Sequence, residues 1–120
     1  MNEAKVMELC GESLIRQMVA AFYRRVRTDD LIGPMYPAED WDGSEERLTE
    51  FLLFRLGHPK LRMRHAQFEI GIAERDRWLT LMAAAMDEAA VPAAARTFLD
   101  PFFAQVADFL RNKSEDQSGA

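Results

Sequence analysis

Cysteine is nearly absent from this sequence. Cys10 stands alone, so no internal disulfide can form, and paired CxxC zinc spacing is missing. Charges break every apolar stretch before it is long enough to span a bilayer. The opening residues, MNEAKVMELCGES, are too polar and acidic for a secretory leader. A formal charge of −5 leaves no surplus of positive charge to cover a nucleic acid, although a local basic patch could hold an anion. Phosphate loops, nucleophile elbows, HExxH helices and EF-hand loops are not found. Strand-like alternation, internal repeats and low-complexity blocks are missing too. The expectation is one cytoplasmic domain with no membrane and no nucleic-acid partner.

What is present is helical periodicity. Hydrophobic residues make up 48% of the 120 and charged residues 29%, the balance of an ordinary globular chain large enough for a real core. In SLIRQMVAAFYRRVR, Ile15, Val19, Phe22 and Val26 recur at three- and four-residue steps, with Tyr23 on the shoulder of the stripe. TDDLIGPMYPAEDWDG, with its prolines, glycines and aspartates, reads as an irregular connection. Asp42 and Glu45 fit a capping-box pattern at the start of SEERLTEFLLFRLG. Its inward face would be Leu48, Phe51, Leu52 and Leu56, and Gly57 would stop it. A short basic helix can begin at Pro59. IAERDRWLTLMAAAMDEAA then lines up Trp78, Met82, Ala85 and Ala89, and AAARTFLDPFFAQVADFLRN lines up Phe98, Phe102, Val106 and Phe109. Pro101 should kink this last segment or open a new turn. The class is all-α, with a domain over residues 1–112 and a disordered polar tail over 113–120.

Chemistry is concentrated in few places. HPKLRMRHAQF, residues 58–68, holds both histidines among arginines and a lysine. Tyr23, Tyr36, Trp41 and Trp78 are aromatics with polar tips. Imidazole is the usual protein ligand of haem iron, and Tyr or Trp donors beside such iron would polarise a diatomic ligand. On residue types alone the plainer readings compete. A helical histidine or tryptophan is more often a packing residue, and Lys60 and Arg62 are ordinary surface charge. His58, between Gly57 and Pro59, suits the start of a helix, Met35, Met63 and Met82 are pocket fillers, and Cys10 is inert.

Five blocks, AAFYRRVRTDDLIGPMYP, DGSEERLTEFL, HPKLRMRHAQFEIG, ERDRWLTLM and LDPFFAQVADFLRN, resemble the second group of truncated haemoglobins, in family order across most of residues 14–112. The resemblance implies a two-over-two helical sandwich around haem b. It implies that His65 is the proximal iron ligand, and that Tyr23, Trp78, Tyr36 and Ser44 lie on the distal side. Leu48, Phe51 and Phe68 would be apolar walls, and Arg47 and Arg64 partners of the haem propionates. The implied ligands are O2, CO and NO, in a monomer or homodimer. The implied role is binding, sensing or redox chemistry of O2, NO or peroxide. Peroxidase-like or NO dioxygenase turnover with a reductase is a further reading. A haem-free helical module holding an apolar ligand or partner protein is the rival.

The chain departs from the family pattern in one place. LG runs straight into HPKLRMRH, where family members carry a glycine-proline loop of about ten residues, a length that an extended chain would stretch over some 33 Å. His65 therefore follows Ser44 by only 21 positions. The expectation is that haem is retained on a re-hung proximal helix. The alternatives are a loop missing from the chain and haem binding weakened or lost.

Overall fold

The computed structural model describes residues 2–57 and 71–118, the last ten as backbone only. Among the described residues there are four helices and no strand: α1 (Glu3–Thr28), α2 (Trp41–Arg55), α3 (Ile72–Glu88) and α4 (Ala93–Ser118). The short basic helix expected from Pro59 falls outside the described residues.

Helix α1 starts twelve residues before Ile15, the first residue of the stripe read from SLIRQMVAAFYRRVR, with the Asn2 side chain accepting from the Lys5 amide. It kinks at Gly11, whose φ of 76° and ψ of 162° belong to a region nearly reserved for glycine. The kink swings Glu3–Cys10 so that Val6 joins the core. Beyond it Ile15, Val19, Phe22 and Val26 are all buried, as the periodicity requires.

Helix α2 begins at Trp41, not after Asp42. Asp40 is the cap, and its carboxylate accepts from the Gly43 amide at 3.1 Å. That register follows from Gly43, because a Cβ there would stand 2.3 Å from the Asp40 carboxylate. The helix ends as read, with Gly57 at a φ of +115°. Leu52 and Leu56 are buried with Leu53, whereas Leu48 and Phe51 are half-buried.

Helix α3 is capped by Glu74, whose carboxylate accepts from the Gly71 amide at 2.8 Å. It buries Trp78, Met82 and Ala85, while Ala89 at its end is half-buried. Helix α4 runs through Pro101 as one element and continues to Ser118, past the boundary at 112. Residues 113–118 contain neither proline nor glycine, so nothing in the chain breaks the helix before Gly119. The most buried line on α4 is Ala95, Leu99, Phe103 and Ala107, with Phe102 beside it. Phe98 and Val106 flank that line half-buried.

Helix α1 is the hub. It packs on α2, α3 and α4, and α3 packs on α4. Among the described residues, α2 comes close to no helix backbone except α1. The core between them is continuous and joins α1, α2, α3 and α4 through Phe22, Leu52, Met82 and Leu99.

Candidate functional site

Three polar-tipped aromatics that lie far apart in the chain meet inside the core. Tyr23 comes from α1, Trp78 from α3, and Tyr36 from the connection between α1 and α2. Their exposures are 4%, 4% and 7%, so their polar atoms need protein partners. The rings meet edge to face, Tyr23 on Tyr36 with centroids 5.5 Å apart and Phe22 on Trp78 at 5.1 Å. Trp41 stacks on Tyr36 at 5.7 Å, and the Arg27 guanidinium lies 5.5 Å from the Trp41 ring centre.

The turn that carries Tyr36 is built locally. The Asp29 carboxylate accepts from the Leu31 and Ile32 amides at 3.0 and 2.9 Å. A 3-10 turn at Gly33–Met35 follows, with Pro34 inside it, and the Tyr36 amide donates to the Gly33 carbonyl at 3.2 Å. Gly33 is required by space: a Cβ would sit 2.7 Å from the Val26 carbonyl oxygen. The connection read as irregular is thus an ordered platform seated on the end of α1.

Tyr36 is the hydrogen-bonding centre of the cluster. The indole N–H of Trp78 can only donate, and it donates to the Tyr36 hydroxyl oxygen. The Tyr23 hydroxyl is bonded to Tyr36 as well, as donor. Burial pushes the Tyr36 phenol up to about 12, moderated by the bonds from Trp78 and Tyr23. Burial pushes Tyr23 up further still, with Tyr36 beside it and bonded to it. Both phenols therefore stay protonated donors across the neutral range.

Ser44 is buried on α2, and its hydroxyl accepts from Arg47 at 3.2 Å. Arg47 also reaches the Asp40 carboxylate at 3.3 Å, so its guanidinium folds back over the start of α2. Leu48 and Phe51 on α2 and Phe98 and Val106 on α4 are half-buried, and Phe51 stacks on Phe102 with centroids 6.3 Å apart. His65, Arg64, Phe68 and His58 lie outside the described residues.

The family model for bacterial-like globins matches residues 7–112. The group 2 truncated hemoglobin YjbI of Bacillus subtilis (strain 168) is 33% identical over 117 residues, covering 90% of this chain and 89% of that protein. This chain belongs to the bacterial-like globins, as a truncated haemoglobin of the second group. The solved hemoglobin of Chloroflexus aurantiacus superposes with a TM-score of 0.76 at 38% identity, covering 88% of this chain and 96% of its own. The truncated oxygen-avid haemoglobin of Bacillus subtilis superposes with a TM-score of 0.75 at 32% identity, covering 88% and 98%. As a truncated haemoglobin the protein binds haem and diatomic gases.

The residues of this truncated haemoglobin fit that group. Among the described residues helices α2 and α4 have no close backbone approach, and each carries half-buried apolar side chains, Leu48 and Phe51 on one and Phe98 and Val106 on the other, of the kind a flat apolar macrocycle would pack against. The buried Tyr23, Tyr36 and Trp78 then supply polar atoms in an otherwise apolar surround. The sequence reading named these three but not Asp29, whose carboxylate fixes the turn before Tyr36 and binds Arg77. The one signal available was an aspartate just past the α1 end, a familiar turn-former.

Proposed function

We propose that this truncated haemoglobin holds haem b through His65 and binds O2 against a donor set centred on Tyr36. Haem, when bound, would supply an iron able to take O2, CO or NO. The observation that supports the donor set is the convergence of Trp78 and Tyr23 on one hydroxyl oxygen. With Trp78 and Tyr23 bonded to its oxygen, the group that Tyr36 can offer a ligand is its own O–H. Trp78 and Tyr23 orient and polarise that O–H, and the shared chain of bonds strengthens it.

Such a donor favours a ligand atom with partial negative charge, so O2 is held more tightly than CO. A bond of this kind in a dry pocket is worth about 1–3 kcal/mol, or roughly ten- to a hundredfold in release rate. Slow release suits sensing or redox chemistry of O2, NO or peroxide, with a reductase as partner, better than bulk delivery. The oxygen-avid Bacillus subtilis neighbour supports O2 as the ligand.

The test uses the full chain expressed with haem supply. The expected product is coloured, with a Soret band near about 400 nm, and His65→Ala does not retain haem. In Tyr36→Phe, O2 release should speed up by about tenfold or more while CO release changes little. Full haem retention by His65→Ala would overturn the ligation, and unchanged O2 release in Tyr36→Phe would overturn the donor assignment.

A further inference from the structure

The Asp29 carboxylate is 8% exposed and makes three hydrogen bonds to two parts of the molecule. One oxygen takes the Leu31 and Ile32 amides, which fixes the turn leading to Tyr36. The other takes the Arg77 guanidinium at 2.5 Å, across 48 positions of sequence. Arg77 is the residue immediately before Trp78 on α3. Its second contact, to Asp30 at 3.5 Å, is exposed and longer. One carboxylate therefore ties the segment that presents the Tyr36 oxygen to the segment that presents the Trp78 N–H.

The geometry makes this tie sensitive to rotation. Successive residues on a helix diverge by about 100°, so Arg77 grips the outside of α3 while Trp78 points inward. A turn of about 10° about the helix axis moves an atom about 8 Å from that axis by more than 1 Å. That displacement takes a hydrogen bond beyond its working range. Hydrophobic packing of Trp78 against Phe22 and Phe103 is non-directional and tolerates such a turn better than the N–H bond does.

We infer that Asp29 and Arg77 are positioning residues, forming a latch that sets the Trp78 N–H on the Tyr36 hydroxyl. The effect of the latch on ligand release rests on the donor reading above, whereas its effect on the Trp78 N–H does not. Arg75, two positions before Arg77 on the same helix, supplies the control. It binds Asp108 of α4 at 2.5 Å and has no tie to the Tyr36 turn.

The experiment follows the two indole N–H groups, of Trp41 and Trp78, in the haem-loaded full chain labelled with nitrogen-15, in its ferrous CO form. Hydrogen exchange of the Trp78 indole should speed up by about tenfold or more in Arg77→Ala and in Asp29→Asn. Asp29→Asn keeps an oxygen for the two amides, so it isolates the ion pair from the turn. The double variant should exchange no faster than either single one, because both remove the same tie. Arg77→Lys should restore part of the protection, and Arg75→Ala should leave the Trp78 signal unchanged. Wild-type exchange in Arg77→Ala, or equal acceleration by Arg75→Ala, would overturn the latch. Faster Trp78 exchange with unchanged O2 release would uphold the latch and count against Tyr36 and Trp78 as ligand donors.

Discussion

The indole N–H of Trp78 and the hydroxyl of Tyr36 are hydrogen-bonded in the core, although 42 positions separate them in the chain. Tyr23 completes the set from a third segment. A triad assembled from three elements behaves as a unit, and its members should not contribute independently.

The first prediction concerns that coupling. Tyr23→Phe and Trp78→Phe should each speed O2 release by about tenfold, and the double variant by clearly less than the product of the two. Tyr36→Phe should be as fast as the double variant, because it removes the shared atom. With the Tyr36 phenol raised to about 12 by burial, release rates should stay flat from neutral pH to about pH 10. Stopped-flow displacement of O2 by CO measures all of these; strict multiplicativity, or a step near the ordinary tyrosine value, would contradict the triad.

Arg47 tests the rim. Its guanidinium is held by Asp40 and Ser44, so a propionate partner would have to compete with the helix cap. Arg47→Ala should raise the rate of haem transfer to an acceptor globin by at most about fivefold, as expected for a partly exposed pair worth about 0–1 kcal/mol. Asp40→Ala should instead cost about 1 kcal/mol of stability by uncapping α2, seen in denaturant unfolding, with little effect on haem transfer.

How much of this was legible beforehand varies by the kind of force involved. The stripes through Ile15–Val26 and Trp78–Ala85 were readable because burial at helical spacing is written in consecutive residues. Gly57 was readable as a stop for the same local reason. The α4 stripe was placed one step around the helix. The larger residues Phe98 and Val106 attract the eye, yet small Ala95 and Ala107 permit the close approach and are fully buried. The capping-box pattern pointed to Asp42, whereas the cap is Asp40, because the space that admits its carboxylate depends on a Cβ that Gly43 does not have. The latch between Asp29 and Arg77 was not legible at all, since a tie across 48 positions has no periodicity to announce it. The expected His65, Arg64 and Phe68 site residues lie outside the described residues.

Gly33 supports the platform under Tyr36. A Cβ at this position meets the Val26 carbonyl at 2.7 Å, and that oxygen belongs to the backbone of α1 and cannot rotate away. Gly33→Ala should therefore lift the turn, lowering stability by about 1–3 kcal/mol as overpacking does. It should also speed O2 release by displacing Tyr36. A variant with native unfolding midpoint and native release would show that the turn has slack.

Acid should act through Asp29. Burial pushes this carboxyl upward, but the Ile32 amide, Arg77 and the Leu31 amide together hold it below the ordinary value. A depressed carboxylate contributes stability that is complete above its unfolded value and is lost as pH falls through the folded one. The stability gap between wild type and Asp29→Asn should thus be constant above about pH 5 and narrow below about pH 4. Urea unfolding at a series of pH values measures it. A gap that widens on acidification would show that the charged form is not what the fold favours.

Among the described residues, α2 meets α1 by close backbone approach and α4 only through side chains, which has a mechanical consequence. The Phe51–Phe102 stack works as a strut, so that a push on α2 at Phe51 is passed through the Phe102 ring into α4.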